Sequence, residues 1–254
     1  MIKIGDYNEL VVVRKSKDGY FLDADTGNED DDILIPFENC LGEHLDIWQK
    51  LNVFVYNDSR GKLYATLNKP LATVGEFAYL TVKSNVRRGS FVDLGIGRTD
   101  IFAPEDEQIC ELQEGNKYLF YIYLDSRNNI AATTNVEGYL EFADEDTYKI
   151  GDEVFGVVCQ FYNSENVCIA VENKYKGIML KNEFFEEINL EDILKLKIKK
   201  IYEDGTLGVT TRITGKQERT KLQEDILKYL KQHDGFMPYN DKSSPEDIKA
   251  VFRE

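Results

Sequence analysis

With 254 residues, 42% of them hydrophobic and 12% aromatic, the chain is long enough for more than one buried core and too apolar for wholesale disorder. A formal net charge of −15 repels nucleic acid at long range, so any polyanion has to be met by a local cluster of cations. Four cysteines without a CxxC pair and only two histidines exclude the usual zinc spacings, and no apolar stretch is long enough for a bilayer span, so the expected setting is the cytoplasm, with reduced thiols and neither metal nor cofactor.

From the start of the chain, Met1-Ile2-Lys3-Ile4 leads straight into strand-like sequence and not into a signal peptide. The turn Lys17-Asp18-Gly19 opens Gly19-Tyr20-Phe21-Leu22-Asp23, and the acidic run Glu29-Asp30-Asp31-Asp32 that follows is expected as a solvated loop. Val55-Tyr56-Asn57-Asp58 then precedes a turn and a short apolar stretch closing on Thr66. The same order returns twice. Ile4-Gly5-Asp6 recurs as Val74-Gly75-Glu76 and Ile150-Gly151-Asp152, while Gly89-Ser90-Phe91-Val92-Asp93 repeats the first glycine strand. Ile122-Tyr123-Leu124-Asp125 and Ile201-Tyr202-Glu203-Asp204 repeat the last turn, ahead of Thr133 and Thr210. The tyrosines at these turns are expected in the core or at its rim.

Period-two alternation with β-branched and aromatic enrichment, as in Leu194-Lys195-Leu196-Lys197-Ile198-Lys199, makes the segments strands. About five short strands in each module fit a small closed barrel of the OB type better than a sandwich, which normally wants a larger domain. The predicted fold is therefore mostly β: three tandem five-stranded barrels at 1–69, 70–141 and 145–214, then a short helical segment at 215–254. In that segment Leu222, Ile226, Leu227 and Leu230 fall at helical spacing and His233-Asp234-Gly235 supplies a stop. Ser243-Ser244-Pro245-Glu246-Asp247 has the composition of a second helix start.

The glycine strand, the G-x-F-x-D order and the closing "Y-x-D…T" pattern resemble the S-one type RNA-binding domain, and three such modules followed by "GFMPYNDKSSPEDIKAVF" at 235–252 resemble the conserved virulence factor B family of bacterial RNA-binding proteins. The resemblance implies OB barrels, a C-terminal winged helix (partial here), single-stranded RNA as ligand, a part in post-transcriptional regulation of gene expression, and no catalysis. The chain departs from the pattern at the third strand. There a histidine is frequent in the family, whereas this sequence has Ile33-Leu34-Ile35-Pro36, Ile101-Phe102-Ala103-Pro104 and Ile178-Met179-Leu180-Lys181.

Strand alternation puts Val92 and Leu94 on one face and Phe91 and Asp93 on the other; because an ionised aspartate prefers water, Phe91 is expected on the outside of the second barrel, as a ring on which an unpaired base can stack. Core burial of Phe91 is the competing reading. Residues 83–98 hold Lys83, Arg87, Arg88 and Arg98 against the single acid Asp93, a local charge of +3 inside a net-negative chain. The candidate RNA-binding set is thus Lys83, Arg87, Arg88, Phe91 and Arg98, with Phe21 as the counterpart in the first module and Lys195, Lys197 and Lys199 as a basic stripe on the third. An ordinary solvated lysine face is the alternative for that stripe. In the third module the position of Phe91 falls near Cys168, so the platform is missing there. No nucleophile–histidine pair or phosphate-binding glycine motif is present, so no catalytic residue is expected. The alternative function is a scaffold holding ribosomal or transcription proteins, which the acidic balance would suit.

Overall fold

The computed structural model describes residues 1–212 apart from 59, 98, 145, 163–165 and 185–186, together with 223, 226–233 and 235–238. In the first module's strands the alternating apolar residues Leu10 and Val12, Tyr20 and Leu22, Ile33 and Ile35, and Leu51, Val53 and Val55 are buried, and burying that set curls the sheet onto itself. Strands β1 (Asp6–Lys15), β2 (Gly19–Leu22), β3 (Ile33–Pro36), β4 (Lys50–Asn57) and β5 (Leu63–Thr66) close a barrel in the order β1-β2-β3-β5-β4. The second module repeats it with β6 (Phe77–Val86), β7 (Gly89–Val92), β8 (Ile101–Pro104), β9 (Lys117–Leu124) and β10 (Ile130–Thr133). The third does so with β11 (Glu153–Tyr162), β12 (Asn166–Val171), β13 (Tyr175–Leu180), β14 (Ile193–Ile201) and β15 (Leu207–Thr210). Within each barrel the third and fifth strands run parallel and all other pairs are antiparallel. The fold is mostly β, three five-stranded barrels, as expected.

Inward residues such as Val12, Leu22, Ile33 and Val53 in the first barrel, Leu80, Val92, Leu94 and Phe120 in the second, and Val158, Ile169, Met179 and Leu196 in the third are sealed from solvent. Each such side chain contributes about 1.5–3 kcal/mol relative to exposure. All three long first strands carry a β-bulge at the same place, between Val12 and Arg14, Val82 and Ser84, and Val158 and Gln160. The bulge bends the strand so that one sheet can wrap into a closed barrel. Gly19 and Gly89 mark the tightest crossing: a Cβ at either would run into the carbonyl oxygen of Ile35 or Ala103 on the neighbouring strand. The repeated G-x-F-x-D glycine is a packing requirement.

The barrels are joined by contact as well as by chain. Phe54 and Tyr56 of the first barrel share a hydrophobic cluster with the second barrel's core, and Asn57 Nδ2 donates to Asn128 O at 3.0 Å and Asn129 Oδ1 at 2.8 Å. Leu119 of β9 packs with Val157, Cys159, Cys168 and Ala170 of the third barrel, and Glu191 reaches across to accept the Leu119 amide at 3.0 Å. Residues 226–232 form a helix. The remainder of the expected first helix, Leu222 included, and the Ser243–Asp247 helix start lie outside the described residues. Cys40, Cys159 and Cys168 are buried free thiols and Cys110 is half-buried. Tyr56 lies in the core, while Tyr123 and Tyr202 are half-buried at the rim. No helix among the described residues is long and apolar enough to cross a membrane.

Candidate nucleic-acid interface

Because the three bulges coincide, the strand registers align the modules residue by residue. Phe21, Phe91 and Cys168 occupy one structural position; on the first-strand side they pair with Arg14, Ser84 and Gln160. On the third-strand side they pair with Leu34, Phe102 and Ile178. What surrounds this one position differs in each barrel.

In the second barrel the flanking residues Ser90 and Val92 point inward and are buried, which turns Phe91 out, 36% exposed. The half-buried Phe102, projecting from β8 on the same face, packs against it with ring centroids 5.3 Å apart and planes at 55°. The alternation Ile101-Phe102-Ala103, with Ile101 and Ala103 buried, is the sequence signal for this second ring, which is not among the sequence candidates. Ser84 is too short to cover Phe91 from the other side. Arg87 and Arg88 form the two-residue turn between the Val86–Gly89 pair, both exposed, and neither makes an ion pair among the described residues. The hairpin is held rigidly from behind: the Glu105 amide donates to Arg88 O at 2.9 Å, Asn85 Nδ2 to Leu112 O at 2.8 Å, and Ser90 Oγ to Asn85 Oδ1 at 2.7 Å. Lys83 is tied to Asp93 at 2.8 Å. Burial pushes the Asp93 carboxyl up, but hydrogen bonds from Lys83 and the Gly95 amide outweigh it and leave the group below its usual range. Among the described residues of this hairpin, the cations without an ion pair are the turn arginines, with the Glu114 carboxylate nearby, accepting the Asn85 amide at 2.7 Å. Arg98 lies outside the described residues.

The first barrel's ring is covered. The Arg14 guanidinium lies over Phe21, 4.1 Å from the ring centroid, with Nη2 donating to Glu29 O at 3.0 Å and standing 3.4 Å from the Asp32 carboxylate. Arg14 was not among the sequence candidates, because its pairing with Phe21 depends on the bulge. Part of the acidic run expected as a plain solvated loop anchors this arginine.

In the third barrel Cys168 is fully buried beneath the second barrel, so the counterpart face is an internal contact. The lysine stripe does project from β14 opposite the buried Leu196 and Ile198, but each lysine has a carboxylate beside it: Lys195 and Lys197 share Glu153, at 2.7 and 3.4 Å, and Lys199 lies 2.6 Å from Glu183. These acids come from a distant strand and a loop, which adjacency in sequence does not show. The described residues include no cluster of three or more His, Cys, Asp or Glu side chains placed to hold a metal ion.

Residues 4–68 match the S1 domain family and residues 224–254 the CvfB-like winged helix domain family. The uncharacterized protein YitL of Bacillus subtilis is 25% identical over 98% of this chain and 83% of its own length. Conserved virulence factor B of Staphylococcus saprophyticus is 26% identical over 83% of this chain and 72% of its own length. Among solved structures, a Streptococcus pneumoniae multidomain protein with nucleic acid binding domains superposes with a TM-score of 0.52 at 21% identity, covering 98% of this chain and 88% of that one, a likeness of fold. The chain is thus similar to the conserved virulence factor B proteins over most of its length, its first barrel matching the S1 domain family and its C-terminal residues the CvfB-like winged helix domain family.

Proposed function

We propose that this is a non-catalytic, cytoplasmic RNA-binding protein that takes single-stranded RNA across the β7–β8 face of its second barrel and acts in post-transcriptional regulation. The observation that carries this is the pairing of two outward rings, Phe91 and Phe102, with the exposed Arg87–Arg88 turn on the same hairpin. The S1 match and the nucleic-acid-binding domains of the pneumococcal neighbour support nucleic acid as the ligand class. Unpaired bases stack on aromatic rings with little sequence preference, while guanidinium groups hold the phosphates that bracket them. The −15 net charge restricts contact to this patch, since a polyanion is repelled elsewhere.

Anisotropy titration of a labelled oligouridine tests the reading. Phe91→Ala should weaken binding about 5- to 150-fold, the range for one lost base stack. Arg88→Ala should weaken it and lower the slope of log K against log salt by ~0.7. Absence of affinity at low salt would defeat the proposal. A scaffold for ribosomal or transcription proteins is the second reading, favoured by Trp48, which is 75% exposed in a loop with Leu41 and Ile47 also exposed. Partners that survive ribonuclease in a pulldown would support it.

A further inference from the structure

At the position shared by Phe21 and Phe91, two barrels present the same aromatic ring, half-buried in the first and exposed in the second, and the residue facing it on the first-strand side differs between them. In the first barrel that residue is Arg14, its guanidinium stacked on Phe21 where a base would lie. In the second it is Ser84, which leaves Phe91 uncovered. We propose that Arg14 is a built-in occupant that closes the first barrel's ring to nucleobases, and that Ser84 is the specificity-determining residue that keeps the second barrel's ring open.

The inference rests on the RNA-binding reading above and adds which barrel can bind and why. A guanidinium plane over an aromatic face makes contacts of the same kind as a stacked base, so a base entering the first barrel must displace an interaction of comparable strength. It must also break the hydrogen bond to Glu29 O and the contact with Asp32, whose side chain is only 7% exposed. Displacing Arg14 would leave that buried carboxylate without its cation. Nothing in the entering base or its phosphate could replace the lost charge.

The second barrel retains the other half of the device. Asp100 immediately precedes β8 as Asp32 immediately precedes β3, and burial, reinforced by the nearby Asp93 and opposed by Lys83, pushes its carboxyl up as burial, opposed by Arg14, does for Asp32. An arginine placed at 84 would therefore find an acid at the position that anchors Arg14.

The test is Ser84→Arg in the full chain, titrated with the labelled oligouridine. Adding a cation beside a phosphate-binding surface ordinarily strengthens RNA binding; the proposal predicts the opposite, a loss of ten-fold or more. Ser84→Ala should leave affinity within two-fold, and Ser84→Arg with Asp100→Asn, which removes the anchor, should recover most of the loss. Circular dichroism and the thermal midpoint establish that each variant is folded. Ser84→Arg binding as well as or better than wild type, with wild type still dependent on Phe91, would overturn the inference and leave the RNA reading intact. Wild type that binds no oligonucleotide would sink the RNA reading itself, and this inference with it.

Discussion

Glu191 offers the sharpest test of how the second and third barrels are held together. It sits in the loop before β14 with φ +69°, a left-handed conformation that is costly for glutamate, and its carboxylate is inserted between barrels to accept the Leu119 amide at 3.0 Å. Burial raises its pKa to about 7, the Leu119 hydrogen bond opposing the shift only in part. Tyr79 and Cys110 are the titratable neighbours that respond to its charge, each pushed up chiefly by burial and further by Glu191. A carboxyl whose folded pKa lies above its unfolded value stabilises the docked state fully below the unfolded pKa, and that contribution is lost as pH rises through about 7. The rise from the ordinary glutamate value of 4.5 corresponds to about 3 kcal/mol at most, which solvent relaxation reduces. Glu191→Gln keeps an acceptor for the Leu119 amide and cannot ionise. Urea unfolding at pH 5 and pH 8 should show the variant close to wild type at the lower pH and more stable, by about 1–3 kcal/mol, at the higher. An equal difference at both pH values would refute the buried-carboxylate argument.

Two further outcomes follow from the same geometry. Phe102→Ala should weaken oligouridine binding by less than Phe91→Ala, because its ring is the more covered of the pair, while leaving the barrel folded by circular dichroism; no loss would remove Phe102 from the interface. Gly89→Ala forces a Cβ into the Ala103 carbonyl oxygen and should destabilise the second barrel by several kcal/mol, read as a drop in its thermal midpoint.

The barrels were legible in the sequence because closing a small sheet leaves the same marks each time: a glycine where strands cross, alternating apolar residues, and an acid-bearing turn before the last strand. Phe91 was legible on the same grounds, since Ser90 and Val92 fix the inward face and the ring takes the other. Arg14 was not, because a bulge adds one residue to the strand and shifts every later pairing; only the register sets Arg14 opposite Phe21. The partners of the lysine stripe were illegible for a related reason. Lys195 and Lys197 meet Glu153 from β11, and Lys199 meets Glu183, partners that sequence spacing does not indicate. Cys168 offers no platform in the sequence, and the structure adds why: the second barrel covers that face, and inter-barrel packing leaves no periodic signal.

The three fates of one position also bear on why an acidic chain would carry three barrels. One ring pair with two arginines gives modest affinity, and repetition of the site would raise it by avidity. Here repetition of the fold is not repetition of the site: the first ring is occupied by Arg14, the third position is consumed in holding the barrels together, and the middle face alone stays open. Avidity then cannot come from the barrel array. On the proposed reading, affinity beyond the bases stacked on this one face comes from elsewhere in the chain or from a partner. On this argument, lengthening an oligouridine beyond the few nucleotides that one OB barrel spans should bring little gain from the barrels themselves.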